Sequence, residues 1–145
     1  MVKANCCLLI QFLQGYGVGA LTSHGYQHQR GSTLNRPVKA IHYQLAPIGD
    51  EVPLADYATY GSQELADHAT NALGQGGAVL LKNHGLMTVA DTIETAYRHA
   101  LDVEWVAKLY YLALQIGEPD ILTHDEMARV RHQLAHYGQA GSQSE

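Results

Sequence analysis

Gly77-Ala78-Val79-Leu80-Leu81-Lys82-Asn83-His84-Gly85-Leu86 is a short apolar run that stops on a histidine and a glycine. Four to six apolar residues bounded by glycines predict a buried strand, here over 78–82. Met87 to Val89 offer a second leg. A histidine at the end of such a strand, with a glycine beside it clearing space, is placed to meet a ligand or a metal. The competing reading of His84 is a hydrogen-bonded packing residue.

Outward from this run the helix signals are strong. Downstream, Asp91 with Glu94 forms an acidic version of a capping box and opens the longest element, to about Ile116. Ile93, Ala96, Ala100, Val103, Ala107 and Tyr110 keep helical spacing, and Gly117 and Pro119 close the helix. Thr123-His124-Asp125-Glu126 is a T-x-x-E box opening a last helix over Met127, Val130 and Leu134. The small, polar tail from Gly138 is expected to fray. Upstream, Ser62 caps a helix whose apolar stripe is Leu65, Ala66, Ala69 and Leu73, ended by Gly74 and Gly76-Gly77. Val38 to Leu45 alternates as a half-buried strand, with Val38, Ala40 and His42 on one face. Pro47-Ile48-Gly49-Asp50 turns the chain, and Val52 to Ala55 forms another short strand. The pattern predicts an α/β chain with a mixed or antiparallel sheet and a helix-rich C-terminal half.

Residues 1–31 differ in texture. Glycines at 15, 17, 19, 25 and 31 break any helix or strand period, and Gln27-His28-Gln29-Arg30 is polar. At 145 residues the whole chain suits one domain. A net charge of -5 and the lack of a basic block argue against nucleic-acid binding. No apolar run approaches the roughly 20 residues that span a bilayer, and Cys6 to Ile10 makes a poor signal peptide. Adjacent Cys6 and Cys7 cannot frame disulfides, so a reducing cytoplasm is the expected setting.

The chain holds nine histidines, and nine tyrosines against one phenylalanine. A tyrosine buries its ring but needs a partner for its hydroxyl, which favours pockets and interfaces. After His84, Tyr43 is the next candidate: beside His42 at a strand end, its phenol could act as an acid or donor. Tyr57 and Tyr60 flank Ala58-Thr59 in a loop. His132 and His136 have i,i+4 spacing but lie at the exposed end of a polar helix. His24 and His28 share that spacing without a helix signal. His99 reads as a surface or packing residue.

Asn35-Arg36-Pro37, Ala40-Ile41-His42-Tyr43, Ala55 to Leu65, Leu80 to Gly85 and His136-Tyr137-Gly138 occur in an order that resembles class II aldolases of the aldolase/adducin type. The resemblance covers about residues 32–139, with 140–145 a flexible tail. It implies a three-layer α/β fold with a central antiparallel sheet of nine strands flanked by helices, incomplete in this chain. It also implies a four-fold homotetramer with active sites between subunits, and a zinc ion held by an H-x-H pair and a third, distant histidine. By resemblance His84 is that third ligand. Three neutral imidazoles would leave the zinc an open position as a Lewis acid stabilising an enediolate. Tyr43 resembles the group serving the aldehyde half from the neighbouring subunit. Tyr137 resembles a second catalytic tyrosine that closes over the site, and Tyr60 an aromatic wall for the substrate. The implied activity belongs to carbohydrate metabolism: cleavage of a ketose 1-phosphate, L-fuculose 1-phosphate-like, to dihydroxyacetone phosphate and an aldehyde.

The departures bear on that activity. Counting back from Asn35, the H-x-H pair falls at Thr22 and His24, so one ligand is replaced and His24 stands in an unfamiliar context. The family's base and phosphate-binding loops fall outside the matching segment. Codons exist for Gly17 to Gly25 such that the frame shifted by one nucleotide reads Trp-Val-His-Leu-His-Leu-Thr-Ala. Residues 1 to about 31 are therefore compatible with an out-of-frame translation. The rival expectation is a divergent, truncated paralogue. Two further functions stay open: a pentulose-phosphate 4-epimerase or dehydratase using similar chemistry, and a non-catalytic association module like the adducin head. An incomplete sheet with unpaired edges would favour aggregation.

Overall fold

The computed structural model describes the strand at 19–23 and residues 35–137. Its centre is the hairpin of β5 (Ala78–Leu81) and β6 (Gly85–Ala90), antiparallel, with Ala78 opposite Thr88 and Leu81 opposite Gly85. All four residues of β5 are buried because both faces of the sheet are covered. Alternation along the strand assigns the faces. Val79, Leu81 and Met87 cluster with Ala69 and Leu73 of α1 (Gln63–Leu73). Ala78, Leu80 and Leu86 cluster with Ala100, Val103 and Ala107 of α2 (Ile93–Leu114). Helix, sheet and helix form three layers.

Two edges complete the four-stranded sheet, in the order β1-β6-β5-β4. β1 (Gly19–Ser23) runs antiparallel to β6, while β4 (Leu54–Ala55) lies parallel to β5. The sheet is therefore mixed, one of the two arrangements the sequence pattern allows, with its parallel pair at β4–β5. β2 (Val38–Lys39) and β3 (Glu51–Val52) make a separate antiparallel pair, tied by the Lys39–Glu51 ion pair. The final helix, α3 (His124–His136), lays Met127 and Val130 against the α2 side of the core.

Several elements depart from the sequence reading. The strand over 38–45 stops at Lys39, and Tyr43–Leu45 is a 3-10 turn with His42 at its N-cap, His42 Nδ1 accepting from Gln44 N at 3.2 Å. Val38, Ala40 and Leu45 are buried, but around a bend rather than along one pleated face. The strand over 52–55 is two strands, separated at Pro53, which has no N–H to give a ladder. The cap of α2 is Thr92, not Asp91: Thr92, extended at φ -129, accepts from Thr95 N through its hydroxyl. That helix ends at Leu114, Ile93 is exposed, and Val106 takes a core position the spacing did not assign. Ser62 and Thr123 cap their helices as expected. Leu134 is exposed, because α3 packs through its first turns and not its last. The tail beyond 137, and residues 1–18 and 24–34, lie outside the described residues. Among the described residues no helix is long and apolar enough to cross a membrane.

Two contacts hold the turn at 45–50 between the layers. Gly77 N donates to Ile48 O at 2.8 Å, and a Cβ on Gly77 would sit 3.3 Å from the Ile48 Cα, the Ile48 carbonyl oxygen and His99 Nδ1. Gly77→Ala is expected to push this turn off the sheet and to cost about 1–2 kcal/mol, read as a lowered thermal midpoint. Asp50 Oδ1 accepts from Arg131 at 2.7 Å and its second oxygen pairs with His124, anchoring α3 to the turn. The Arg131 hydrogen bond, then that of His124, holds the Asp50 carboxyl below its ordinary value of 3.8. A depressed carboxylate contributes stability that is present above pH 3.8 and lost as pH falls through the lower folded value. Asp50 is more than a third exposed, so screening limits the contribution to about 0.5 kcal/mol. Asp50→Asn should remove that increment near neutral pH and leave urea midpoints with a shallower acid dependence than those of the unmodified chain.

Candidate functional site

Lys82, Asn83 and His84 form the three-residue turn between β5 and β6. Asn83 takes the left-handed conformation, at φ 59, which asparagine tolerates better than most residues. Gly85 stands at φ 139, where a side chain would be strained. His84 N closes the turn on Leu81 O at 2.8 Å. The turn thus fixes where the imidazole leaves the sheet.

The loop before α1 then orients the ring. His84 Nε2 lies 2.9 Å from Ala58 O. A carbonyl only accepts, so Nε2 carries a proton, which in the neutral ring leaves the lone pair on Nδ1. Tyr57 stacks on the imidazole, with centroids 5.3 Å apart and planes within 2°. His68 of α1 bonds Asp56 O at 3.2 Å and holds the start of the same loop. The sequence marked Tyr57 as a loop tyrosine but did not pair it with His84; the signal was the Tyr-Ala-Thr-Tyr run itself. Tyr60 is half-exposed farther along that loop.

The other two tyrosines lie together elsewhere. Tyr43 and Tyr137 line an open groove of about 380 Å³ with Glu126, Arg129, Val130 and Leu134. His84 is not among its lining residues. Tyr43 is held by a ring contact to His42, which in turn meets the edge of Trp105, each at 4.5 Å. The chain therefore presents an imidazole station and a phenol groove as separate features. His136 Nδ1 donates to His132 O at 2.7 Å within the helix, and no third His, Cys, Asp or Glu joins the pair among the described residues.

Zinc binding can be judged from the donors. His84 has the support a ligating imidazole needs, one nitrogen tied to a backbone carbonyl and the other without a hydrogen-bond partner among the described residues. The set around it is incomplete: among the described residues no three His, Cys, Asp or Glu side chains gather to hold a metal. β1 runs toward this end of the sheet, with Thr22 opposite Met87 and Ser23 opposite Leu86. His24 follows in sequence but lies outside the described residues. One imidazole, or two counting His24, does not match a tri-histidine zinc site.

Similarity to known proteins agrees with this architecture. The family described as Class II Aldolase and Adducin N-terminal domain matches residues 23–111. A 5-methylthioribulose-1-phosphate/5-deoxyribulose-1-phosphate aldolase of Rhodospirillum rubrum is 41% identical over 72% of this chain and 48% of its own length. An L-fuculose phosphate aldolase of Escherichia coli K12 is 40% identical over 74% of this chain and 51% of its own. A solved L-fuculose 1-phosphate aldolase superposes with a TM-score of 0.77 at 36% identity, covering 80% of this chain and 55% of that one. The chain spans about half the length of these relatives. By family match and fold alike, it belongs to the class II aldolase and adducin family.

Proposed function

We propose that this chain carries the C-terminal part of a class II aldolase-type lyase that cleaves a ketose 1-phosphate to dihydroxyacetone phosphate and an aldehyde, and that the chain as written is impaired in that reaction. The observation that carries the reading is His84, tautomer and ring plane set by Ala58 and Tyr57 at a turn of the sheet. L-fuculose 1-phosphate and 5-deoxyribulose 1-phosphate are the substrates suggested by the relatives' names. Epimerase and dehydratase chemistry of the same family remain for the substrate assays to separate.

In such a cleavage the C3–C4 bond breaks, the C4 hydroxyl loses a proton, and negative charge gathers on the C2 oxygen. In this proposal Tyr43 and Tyr137 exchange the proton at the aldehyde oxygen. They would do so for the His84 station of a neighbouring copy in a four-fold assembly, since the groove they line excludes their own chain's His84. Tyr60 would wall the substrate. Zinc would supply the charge stabilisation in an intact member. The donors here do not complete its site, and that shortfall is the reason to expect impairment. The same shortfall favours a second reading, a non-catalytic association module.

Zinc content and turnover separate the two. The purified full chain, dialysed against micromolar zinc, is expected to hold well under one equivalent. It should release dihydroxyacetone phosphate from either substrate no faster than its His84→Ala variant. One zinc per chain, with turnover abolished by His84→Ala, would overturn the claim of impairment. Zinc-free protein with no turnover on any ketose phosphate, even when mixed with a complete family member, would favour the association module.

A further inference from the structure

Tyr43 stands between two residues that are both held by α2. On one side His42 meets the edge of the Trp105 ring, with centroids 4.5 Å apart and planes at 80°, and lies against the Tyr43 ring at the same centroid distance. On the other side the Gln44 side-chain amide donates to the Asp102 carboxylate, 58 residues away in sequence. Asp102 and Trp105 are three residues apart on α2, so they project from one side of the helix. The helix beneath them is fixed, because Ala100, Val103, Val106 and Ala107 are buried in the core.

The backbone of the turn is secured by other means. Leu45 is fully buried in the same core, and Ala46 N donates to Tyr43 O at 2.9 Å. Leu122 N donates to Ala40 O at 2.9 Å, and His42 Nδ1 caps the turn by accepting from Gln44 N. The Tyr43 side chain, by contrast, is half exposed at the rim of the groove. A phenol oxygen stands at the far end of its ring, so a tilt of the ring carries it farther than any other atom. A misplacement of about 1 Å can cost a reacting group roughly 100-fold in rate. We infer that Trp105 and Asp102 are positioning residues for Tyr43. Trp105 acts through the His42 ring and Asp102 through Gln44, and together they fix the tilt of the phenol over the groove. Neither is among the groove's lining residues. The inference rests on the reading of Tyr43 as the group that exchanges a proton at the aldehyde oxygen.

Tyrosine carrying carbon-13 at the ring ε positions reports the tilt. The full chain has nine tyrosines, and Tyr43→Phe and Tyr137→Phe assign the two signals needed. The Tyr43 signal is expected away from the free-tyrosine shift, because the His42 ring lies against it. Trp105→Ala and Asp102→Ala should each return it toward that shift, with the Tyr137 signal unmoved and the Ala46 amide still protected from hydrogen exchange. Asp102 carries no ring, so its variant adds no ring-current change of its own. Trp105→Phe keeps an aromatic edge and Asp102→Asn keeps an acceptor for Gln44, so both should retain the displaced signal. A Tyr43 signal that stays displaced in both alanine variants overturns the inference. Release of Tyr43 that comes only with a moved Tyr137 signal or a lost Ala46 protection also overturns it, since that is general loosening. Failure of both conservative variants to retain the signal does the same. Glycolaldehyde titrated into the full chain tests the underlying reading separately, and should shift the Tyr43 signal. Selective release of Tyr43 in the alanine variants, with no response to glycolaldehyde, sustains the grip on the ring and sinks its aldehyde role.

Discussion

The burial of β5 on both faces is the constraint from which the rest of the structure follows. A strand sandwiched between two helices cannot slip by one residue, since a slip would exchange the side chains facing α1 for those facing α2. Val79 and Leu81 pack with Ala69 and Leu73 on one side, and Ala78 and Leu80 pack with Ala100 and Val103 on the other. With that register set, Leu81 must pair with Gly85, and the three residues between them must turn in the space available. His84 is where it is because the hairpin has nowhere else to put it.

The same logic explains why a loop residue with no regular structure around it is well oriented. The peptide from Asp56 to Ser62 is anchored at one end by β4 pairing to β5 and at the other by the Ser62 cap of α1. Stretched between those two points, it brings the Ala58 carbonyl and the Tyr57 ring against the imidazole. The proton on Nε2 is a consequence of backbone topology, not of a neighbouring charge.

Legibility in the sequence followed how local each cause is. The helix over 63–73, with its cap and its four buried positions, could be read residue by residue, because capping and periodicity act within a few residues. So could the hairpin and the T-x-x-E box. The stretch from Val38 to Leu45 could not: its alternating apolar residues are buried, yet long-range contacts bend it, with Leu122 N donating to Ala40 O and Gln44 reaching Asp102. Alternation reports burial, and a turn packed into a core produces it as well as a strand does. The site divides the same way. His84 was visible as a motif, while its partners Tyr57 and Ala58, 26 residues away at the carbonyl, required the fold. That Tyr43 and Tyr137 share a groove was also beyond the sequence, since 3-10 turn and final helix meet only in three dimensions.

α2 joins these separate features. Its buried alanines and valines, Ala96, Ala100, Val103, Val106 and Ala107, are small enough to let the helix lie close on the sheet that aims His84. Trp105, at the boundary between inner and outer faces, touches His42 and through it the ring of Tyr43. A displacement of the Trp105 ring would therefore reach Tyr43 through His42, at the rim of the phenol groove. Large apolar residues on an outer face raise the cost of an uncovered state, and natural surfaces avoid them unless a contact repays it. On this one helix the small residues face inward and Ile93, Tyr97, Leu101 and Trp105 face outward. The packing of α2 and the posture of Tyr43 are then parts of one mechanical unit.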